Sequence, residues 1–169
     1  MSESTAQHRC ESPKSVRCAV ITISDTRTLD TDRGGGLIVE MLAAAGHRVS
    51  ARHIVRDDPR DIEPLVRKLA DPDATDAVLM TGGTGIAARD QTFETVSSLL
   101  TKSMPGYGEL FRMLSYSDIG AAAMFSRAVG GVLNNVVVLT MPGSVAAVRL
   151  AMEKLIVPEI GHLVYEARK

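Results

Sequence analysis

The chain has no tryptophan, and aromatic residues make up only 4% of it. Single-stranded nucleic acid is usually gripped by stacking its bases on aromatic faces, so this composition argues against such a partner. A cationic excess is also missing: 19 Lys and Arg stand against 20 Asp and Glu, a net charge of −1. No field of that kind gathers nucleic acid or an anionic membrane surface. The apolar runs are all far shorter than the roughly 20 residues that cross a bilayer. The opening stretch MSESTAQHRCESPKS is polar, without the apolar centre of a secretory signal, so the cytoplasm is the expected location. Cysteine is scarce too. Cys10 and Cys18 form neither a metal nor a redox spacing. Cys10 sits in the polar opening and Cys18 in a strand-like run, so no structural disulfide is expected.

What remains is an ordinary globular composition, 45% hydrophobic and 23% charged over 169 residues. That length buries a core without staples. Residues 1–14 lack periodicity and are expected to be a disordered extension, with one domain over 15–169. Val16 to Ile23 predicts a buried strand that stops at Ser24-Asp25-Thr26. Asp30 to Arg33 and Gly34-Gly35-Gly36 predict a loop. Leu37, Ile38, Met41, Leu42 and Ala45 then mark one helix face, which Gly46 ends. His47 to Val55 suits a second strand. Asp58-Pro59 has the form of a helix cap followed by Pro at the first helical position, although Pro64 predicts a late start or a bend. Ala77 to Met80 is a third strand, and Phe93, Val96 and Leu100 place a helix beyond it. Pro105 to Gly120 predicts a loop and a helix that spans at least Glu109 to Met113. Met124 to Val132 and Val136 to Leu139 predict two strands joined at Asn134-Asn135. A last helix opens at Pro142-Gly143-Ser144 and is kinked or restarted by Pro158. Such βα alternation implies an α/β fold with a parallel sheet covered on both faces.

Ligands of such sheets bind beyond the carboxyl ends of the strands. Ser24, Asp25, Asp57 and Asp58 fall at that edge. So do Thr81-Gly82-Gly83-Thr84-Gly85, Arg89-Asp90 and Met141-Pro142-Gly143-Ser144. The glycine loop is the sharpest signal. Three glycines let the backbone turn at positive φ and bring its N–H groups close to an anion. It is neither a Walker loop nor a dinucleotide fingerprint. Two roles are open to Asp90: cap of the following helix, or hard oxygen ligand to a phosphate-bound Mg²⁺. Asp57 is an extra carboxylate beside the cap Asp58, or simply a solvated charge. Arg89 and Arg127 are candidate phosphate partners.

Taken together, these loops resemble the molybdopterin-binding family of molybdenum cofactor biosynthesis. The resemblance rests on Thr22 to Thr26, Thr81 to Gly85 with Arg89-Asp90, Pro105 to Arg112, Ser126 to Gly131 and Met141 to Ser144. It runs from Val16 to Val164 and is closest to the MoaB branch, beside the MogA-type adenylyltransferases and the gephyrin G domain. It implies a three-layer α/β/α sandwich with a mostly parallel central sheet. The implied reaction is molybdopterin + ATP → adenylyl-molybdopterin + pyrophosphate, with Mg²⁺. By that resemblance Asp57 and Asp90 are catalytic, and Asp90, alone or with Asp57, holds the metal. Asp58 is the alternative second acid. Ser24, Asp25, Thr81, Gly82, Gly83, Thr84, Gly85, Gly106, Glu109, Ser115, Ser126, Pro142, Gly143 and Ser144 match the pterin and nucleotide pocket. Val145 departs from the Pro or Lys of many adenylyltransferases. A non-catalytic molybdopterin-binding or scaffold protein is the alternative function. A homotrimer or hexamer is implied, and other cofactor-synthesis proteins are implied as partners.

Overall fold

The computed structural model describes residues 11–169. The N-terminal part of the expected extension, residues 1–10 with Cys10, lies outside them. Within 11–14, the Pro13 carbonyl passes close to Gly161, and the Tyr165 hydroxyl donates to Glu11.

The strands are β1 (Arg17–Ile23), β2 (Arg48–Val55), β3 (Ala77–Thr81), β4 (Lys102–Ser103), β5 (Gly130–Leu133) and β6 (Val136–Met141). The helices are α1 (Arg33–Ala44), α2 (Pro59–Leu69), α3 (Thr92–Leu99), α4 (Pro105–Ile119), α5 (Val145–Ala151) and α6 (Val157–Ala167). The strands form one six-stranded sheet in the order β2-β1-β3-β6-β5-β4. Pairs β2·β1, β1·β3 and β3·β6 are parallel, whereas β6·β5 and β5·β4 are antiparallel.

Alternation along the strands sorts the core into two layers. Cys18 and Val20 of β1, Leu79 of β3 and Leu139 of β6 pack with Ile38, Leu42, Phe111, Val148, Ile156 and Ile160 on one face. Ala19, Ile21 and Ile23, with Val78, Met80 and Val138, pack with Ile62, Val66, Val96 and Leu99 on the other. The result is the three-layer α/β/α sandwich with a mostly parallel central sheet. Successive side chains of a strand face opposite ways, so a strand buried on both faces is apolar throughout. The Cys18 thiol is wholly buried, which pushes its pKa up to about 12 and leaves it inert.

Several local expectations need correction. Helix α1 begins at Arg33, so the three glycines lie in its first turn rather than in a loop. Asp32 caps it, accepting from the Gly35 N–H at 2.9 Å. Glycine is a poor helix former. Here a side chain on Gly35 would strike Asp32 and Thr22, so close packing overrides propensity. Helix α2 starts at Pro59 rather than late and continues past Pro64; both Pro64 and Arg60, whose carbonyl loses its donor, face solvent. Met124 to Val129 is not strand. Gly120–Phe125 forms a 3₁₀ turn, and the backbone beyond it is claimed elsewhere: Arg127 N–H donates to the Thr84 carbonyl and Val129 N–H to Thr140 Oγ1. The β5–β6 hairpin does turn at Asn134-Asn135, both at positive φ (51° and 63°), as a two-residue hairpin of this twist requires. Helix α4 extends well beyond the Glu109 to Met113 core, and Pro158 is accommodated by a π turn over Met152–Ile156.

Candidate functional site

The carboxyl ends of β1, β3 and β6 meet at one edge, and the glycine loop is locked onto them. Thr81 Oγ1 donates to the Pro142 carbonyl at 3.1 Å, and Gly82 N–H donates to the Met141 carbonyl at 3.0 Å. These bonds tie the loop after β3 to the turn after β6. Gly82 (φ 103°) presses against the Ile23 carbonyl, where no Cβ fits. Gly83 (φ 65°) is enclosed by Thr92 Oγ1 and the Asp57 carboxylate in the same way. Both conformations are ones that L side chains rarely adopt.

Asp57 is no solvated loop charge. Its Oδ1 accepts from the Gln91 N–H at 3.1 Å and from Thr92 Oγ1 at 3.0 Å. Gln91 is the cap residue of α3 and supplies no cap bond of its own, so Asp57 caps that helix from another loop. Oδ2 takes no hydrogen bond among the described residues and lies beside Gly83. Burial pushes the Asp57 carboxyl above its ordinary range. The bonds from Thr92 and Gln91 work against that rise, while the charges of Asp90 and Asp25 add to it. Asp58, the alternative acid, is committed elsewhere. Its Oδ1 accepts from the Arg60 N–H at 2.9 Å, capping α2. The Arg60 side chain holds its pKa down to about 2.

Asp90 does not cap α3, which begins at Thr92. Its Oδ2 accepts from the Ala87 N–H at 2.9 Å, and its own N–H donates to the Ala87 carbonyl at 2.9 Å, closing a tight turn. The carboxylate borders a cleft of about 360 Å³. That volume is within the range of small-ligand sites. Gly83, Thr84, Gly85, Ser126, Pro142, Gly143 and Ser144 border the same cleft. Ser115 of α4, buried at 4% exposure, contributes from the opposite wall. The remaining lining is apolar: Phe111, Ile119, Ala122, Ala123, Phe125 and Ala147. Polar, glycine-rich lining and apolar lining thus meet in one cleft, a mixture that suits a flat heteroaromatic group carrying phosphate.

The other expected site residues lie around this cleft rather than in it. Thr81 and Gly82 lie beneath it as ties between strands. Glu109 borders a neighbouring hollow of about 450 Å³ that shares Ser126 with the first. Gly106 is exposed in the first turn of α4. Ser24 Oγ is engaged by the N–H groups of Thr26 and Arg27, and Ser24 borders a third hollow with Arg52 and Arg56. Asp25 is exposed and acts on the site through its charge on Asp57.

Arg127, a candidate phosphate partner, has all its guanidinium nitrogens bonded to protein groups. Its Nε donates to the Gly85 carbonyl at 2.7 Å, one terminal nitrogen donates to the Asp90 carbonyl at 2.9 Å, and the other pairs with Glu94. Two residues carry more than their sequence positions announce. Thr92 has no signal beyond lying two residues past Asp90. Asp32, buried at 4%, accepts from Thr22 Oγ1 at 2.7 Å and pairs with Arg52 at 3.1 Å; its spacing to Gly35 is a cap pattern hidden by the glycines.

Among the described residues no group of three His, Cys, Asp or Glu side chains assembles into a metal cage. Mg²⁺ needs none: it keeps several waters and is held by one or two carboxylates together with substrate phosphates. Asp90, at the cleft, and Asp57, with Oδ2 uncommitted, supply such a donor set. No described helix is long and apolar enough to cross a membrane.

Residues 19–162 match the family model described as "Probable molybdopterin binding domain". The chain is 52% identical over 167 residues to molybdenum cofactor biosynthesis protein B of Bacillus cereus, covering 98% of this chain and 99% of that relative. A crystal structure of a molybdenum cofactor biosynthesis protein B superposes with a TM-score of 0.89 at 54% identity, covering 92% of this chain and 98% of the other. The tungsten cofactor synthesizing protein MoaB from Pyrococcus furiosus superposes with a TM-score of 0.81 at 36% identity, covering 93% and 99%. With the glycine loop, both acids and the wall of the cleft inside the matched span, the chain belongs to the molybdopterin-binding domain family of molybdenum cofactor biosynthesis.

Proposed function

We propose that this chain adenylylates molybdopterin with Mg·ATP and releases pyrophosphate. The observation that carries the reading is the positive-φ glycine loop, whose residues 83–85 border the cleft with Asp90 while the Asp57 carboxylate lies against Gly83 from behind. In the reaction a terminal phosphate oxygen of molybdopterin attacks the α-phosphorus of ATP. The new O–P bond forms as the bond to the β-phosphate oxygen breaks, and that oxygen leaves with pyrophosphate. Such transfer depends on positioning and on neutralising charge rather than on covalent help from the protein.

Asp90, with Asp57 in support, would hold Mg²⁺, which when bound would supply positive charge to the triphosphate. Residues 83–85, which border the cleft, would offer their backbone N–H groups to the phosphates. The apolar wall of Ile119, Ala122 and Phe125 shields the heterocycle from water. The scaffold alternative draws on one feature: Asp57 already has a structural task, capping α3. Pyrophosphate release from ATP that depends on added molybdopterin separates the two, since a scaffold binds the pterin without releasing any.

The protein acts in the cytoplasm as a homotrimer or hexamer, in company with other cofactor-synthesis proteins. Assembly is supported by an apolar surface on α4 and the following turn. Met113 is 60% exposed, Tyr116 64%, Ile119 59%, Met124 68% and Phe125 52%. Patches of that kind on a soluble chain mark contact with a partner, and closed symmetry is the usual outcome.

A further inference from the structure

We propose that Arg127 is a positioning residue, which sets the shape of the 85–90 loop, and so the aim of the Asp90 carboxylate into the cleft, without touching the ligand. Its catalytic consequence rests on the adenylyl-transfer reading above; its structural consequence does not.

The guanidinium spans the loop from end to end. Nε reaches the Gly85 carbonyl at 2.7 Å, where the loop leaves the glycine turn, and a terminal nitrogen reaches the Asp90 carbonyl at 2.9 Å, where the loop enters α3. The other terminal nitrogen pairs with Glu94, one turn into that helix. Its Cζ lies over the Phe93 ring, 5.1 Å from the centroid, and the backbone N–H of Arg127 holds the Thr84 carbonyl at 3.0 Å. Every guanidinium nitrogen is therefore committed, and only 25% of the side chain is exposed.

Between its two ends the loop has little else to hold it. Ile86, Ala87, Ala88 and Arg89 are exposed. The bonds of this stretch are local ones, between Ala87 and Asp90 and from Gln91 Nε2 to the Ala88 carbonyl. Remove the fork, and the long-range ties left to the turn on which the Asp90 carboxylate depends lie at its margins: the Asp57 bond to the Gln91 N–H after it and the Arg127 N–H bond to the Thr84 carbonyl before it. Arginine alone among the side chains combines a rigid planar fork with ring stacking; lysine keeps the charge but presents a point donor. This separates the two roles open to Arg127. A phosphate partner tolerates lysine in large part, and a fork that bridges two carbonyls does not.

The test compares wild type with Arg127→Lys in the full chain, by amide hydrogen exchange and by steady-state kinetics with Mg·ATP and molybdopterin. The clamp predicts exchange at the Ala87 and Asp90 amides at least tenfold faster, with the β3 and β6 amides unchanged. It also predicts kcat at least tenfold lower, with KM for ATP within threefold of wild type. Wild-type exchange in the loop, or wild-type kcat with a loosened loop, overturns the proposal. A raised KM with unchanged loop exchange does so too, and makes Arg127 a phosphate ligand. Glu94→Ala covers the case in which Arg127→Lys does not fold. It removes only an exposed carboxylate that steadies the guanidinium, and about threefold faster exchange at the same amides is expected, the effect of a surface ion pair. No change there overturns the clamp. If wild type transfers no adenylyl group, the function proposed above fails by itself, and the exchange measurement, which needs no substrate, still decides the clamp.

Discussion

Asp57 has one task in the fold and a second under the proposed function, and substitution can separate them. As a cap it accepts the Gln91 N–H and the hydroxyl of Thr92, a residue with no exposed surface. As an acid at the site it carries a charge that burial and the neighbouring Asp90 and Asp25 make unfavourable. Asn keeps the first task, because its carbonyl oxygen accepts both bonds, and loses the second. Ala loses both and leaves the buried Thr92 hydroxyl and the half-buried Gln91 N–H without that partner. Each such bond to a charged group is worth about 1.5–3 kcal/mol, and part of that is recovered by water, so Asp57→Ala costs about 2–4 kcal/mol. For a chain of this size each kcal/mol moves Tm by about 2–4 °C, so the expected drop is roughly 4–16 °C. Asp57→Asn is expected to melt at or above the wild-type temperature at neutral pH. The sign follows from the raised pKa: the carboxylate is disfavoured in the fold, that penalty is fully present above the folded pKa, and it fades as protonation proceeds in acid. The advantage of Asn over wild type therefore shrinks as pH falls. The assay is thermal unfolding of the three proteins at neutral and acidic pH, with adenylyl transfer measured beside it. Equal losses of Tm in Asn and Ala would refute the division of labour. So would Asn at full activity, which would reduce Asp57 to a cap.

Three further outcomes follow from the geometry. Gly83→Ala adopts a positive φ that costs a non-glycine residue about 1–3 kcal/mol, and its Cβ meets Thr92 and Asp57. A Tm at least about 2–12 °C below wild type is expected by scanning calorimetry, so lost affinity in that variant does not by itself report a phosphate contact. At the opposite edge of the sheet, burial pushes the Asp76 carboxyl up, but bonds from Arg17 and the charge of Arg168 outweigh it and hold the net pKa low. That stability is present above the unfolded value of about 3.9 and lost as pH falls through the folded one. Asp76→Asn should lower Tm at neutral pH and flatten its fall in acid, as pH-dependent melts will show. Tyr116→Asp and Met124→Asp, on the exposed patch, should lower the sedimenting mass while the chain stays folded; unchanged mass would exclude this surface from assembly. Phe111 is unsuitable for that test because it is 1% exposed inside the monomer core.

Elements whose burial follows a simple period were legible in the sequence. The apolar runs of β1, β3 and β6, the Asp58-Pro59 start of α2 and the Asn134-Asn135 hairpin all stand where their residues put them. The glycine loop and Asp90 were legible as neighbours beyond a strand end, and Gly83, Thr84, Gly85 and Asp90 do border one cleft. What was hidden depends on contacts distant in sequence. Gly34 to Gly36 look like a loop until Asp32, Thr22 and Arg52 are seen crowding the helix start. Met124 to Val129 look like a strand until their backbone is seen bonded to the glycine loop and to Thr140. Arg127 looks like a phosphate ligand because spacing reveals charge and not the carbonyls that consume it. Asp57 bonds a helix 34 residues away, and no local pattern encodes that.

Adenylyl transfer itself is the central claim, and ATP labelled at the α-phosphate tests it most directly. Incubated with the protein, Mg²⁺ and molybdopterin, the α-label should move onto the pterin while unlabelled pyrophosphate is released. Asp90→Asn, whose turn with Ala87 the amide can keep, should slow the transfer by about a hundredfold or more, the typical effect of removing one preorganised charge-stabilising group. An α-label that stays in ATP while molybdopterin binds would contradict the account and leave a pterin-binding scaffold in its place.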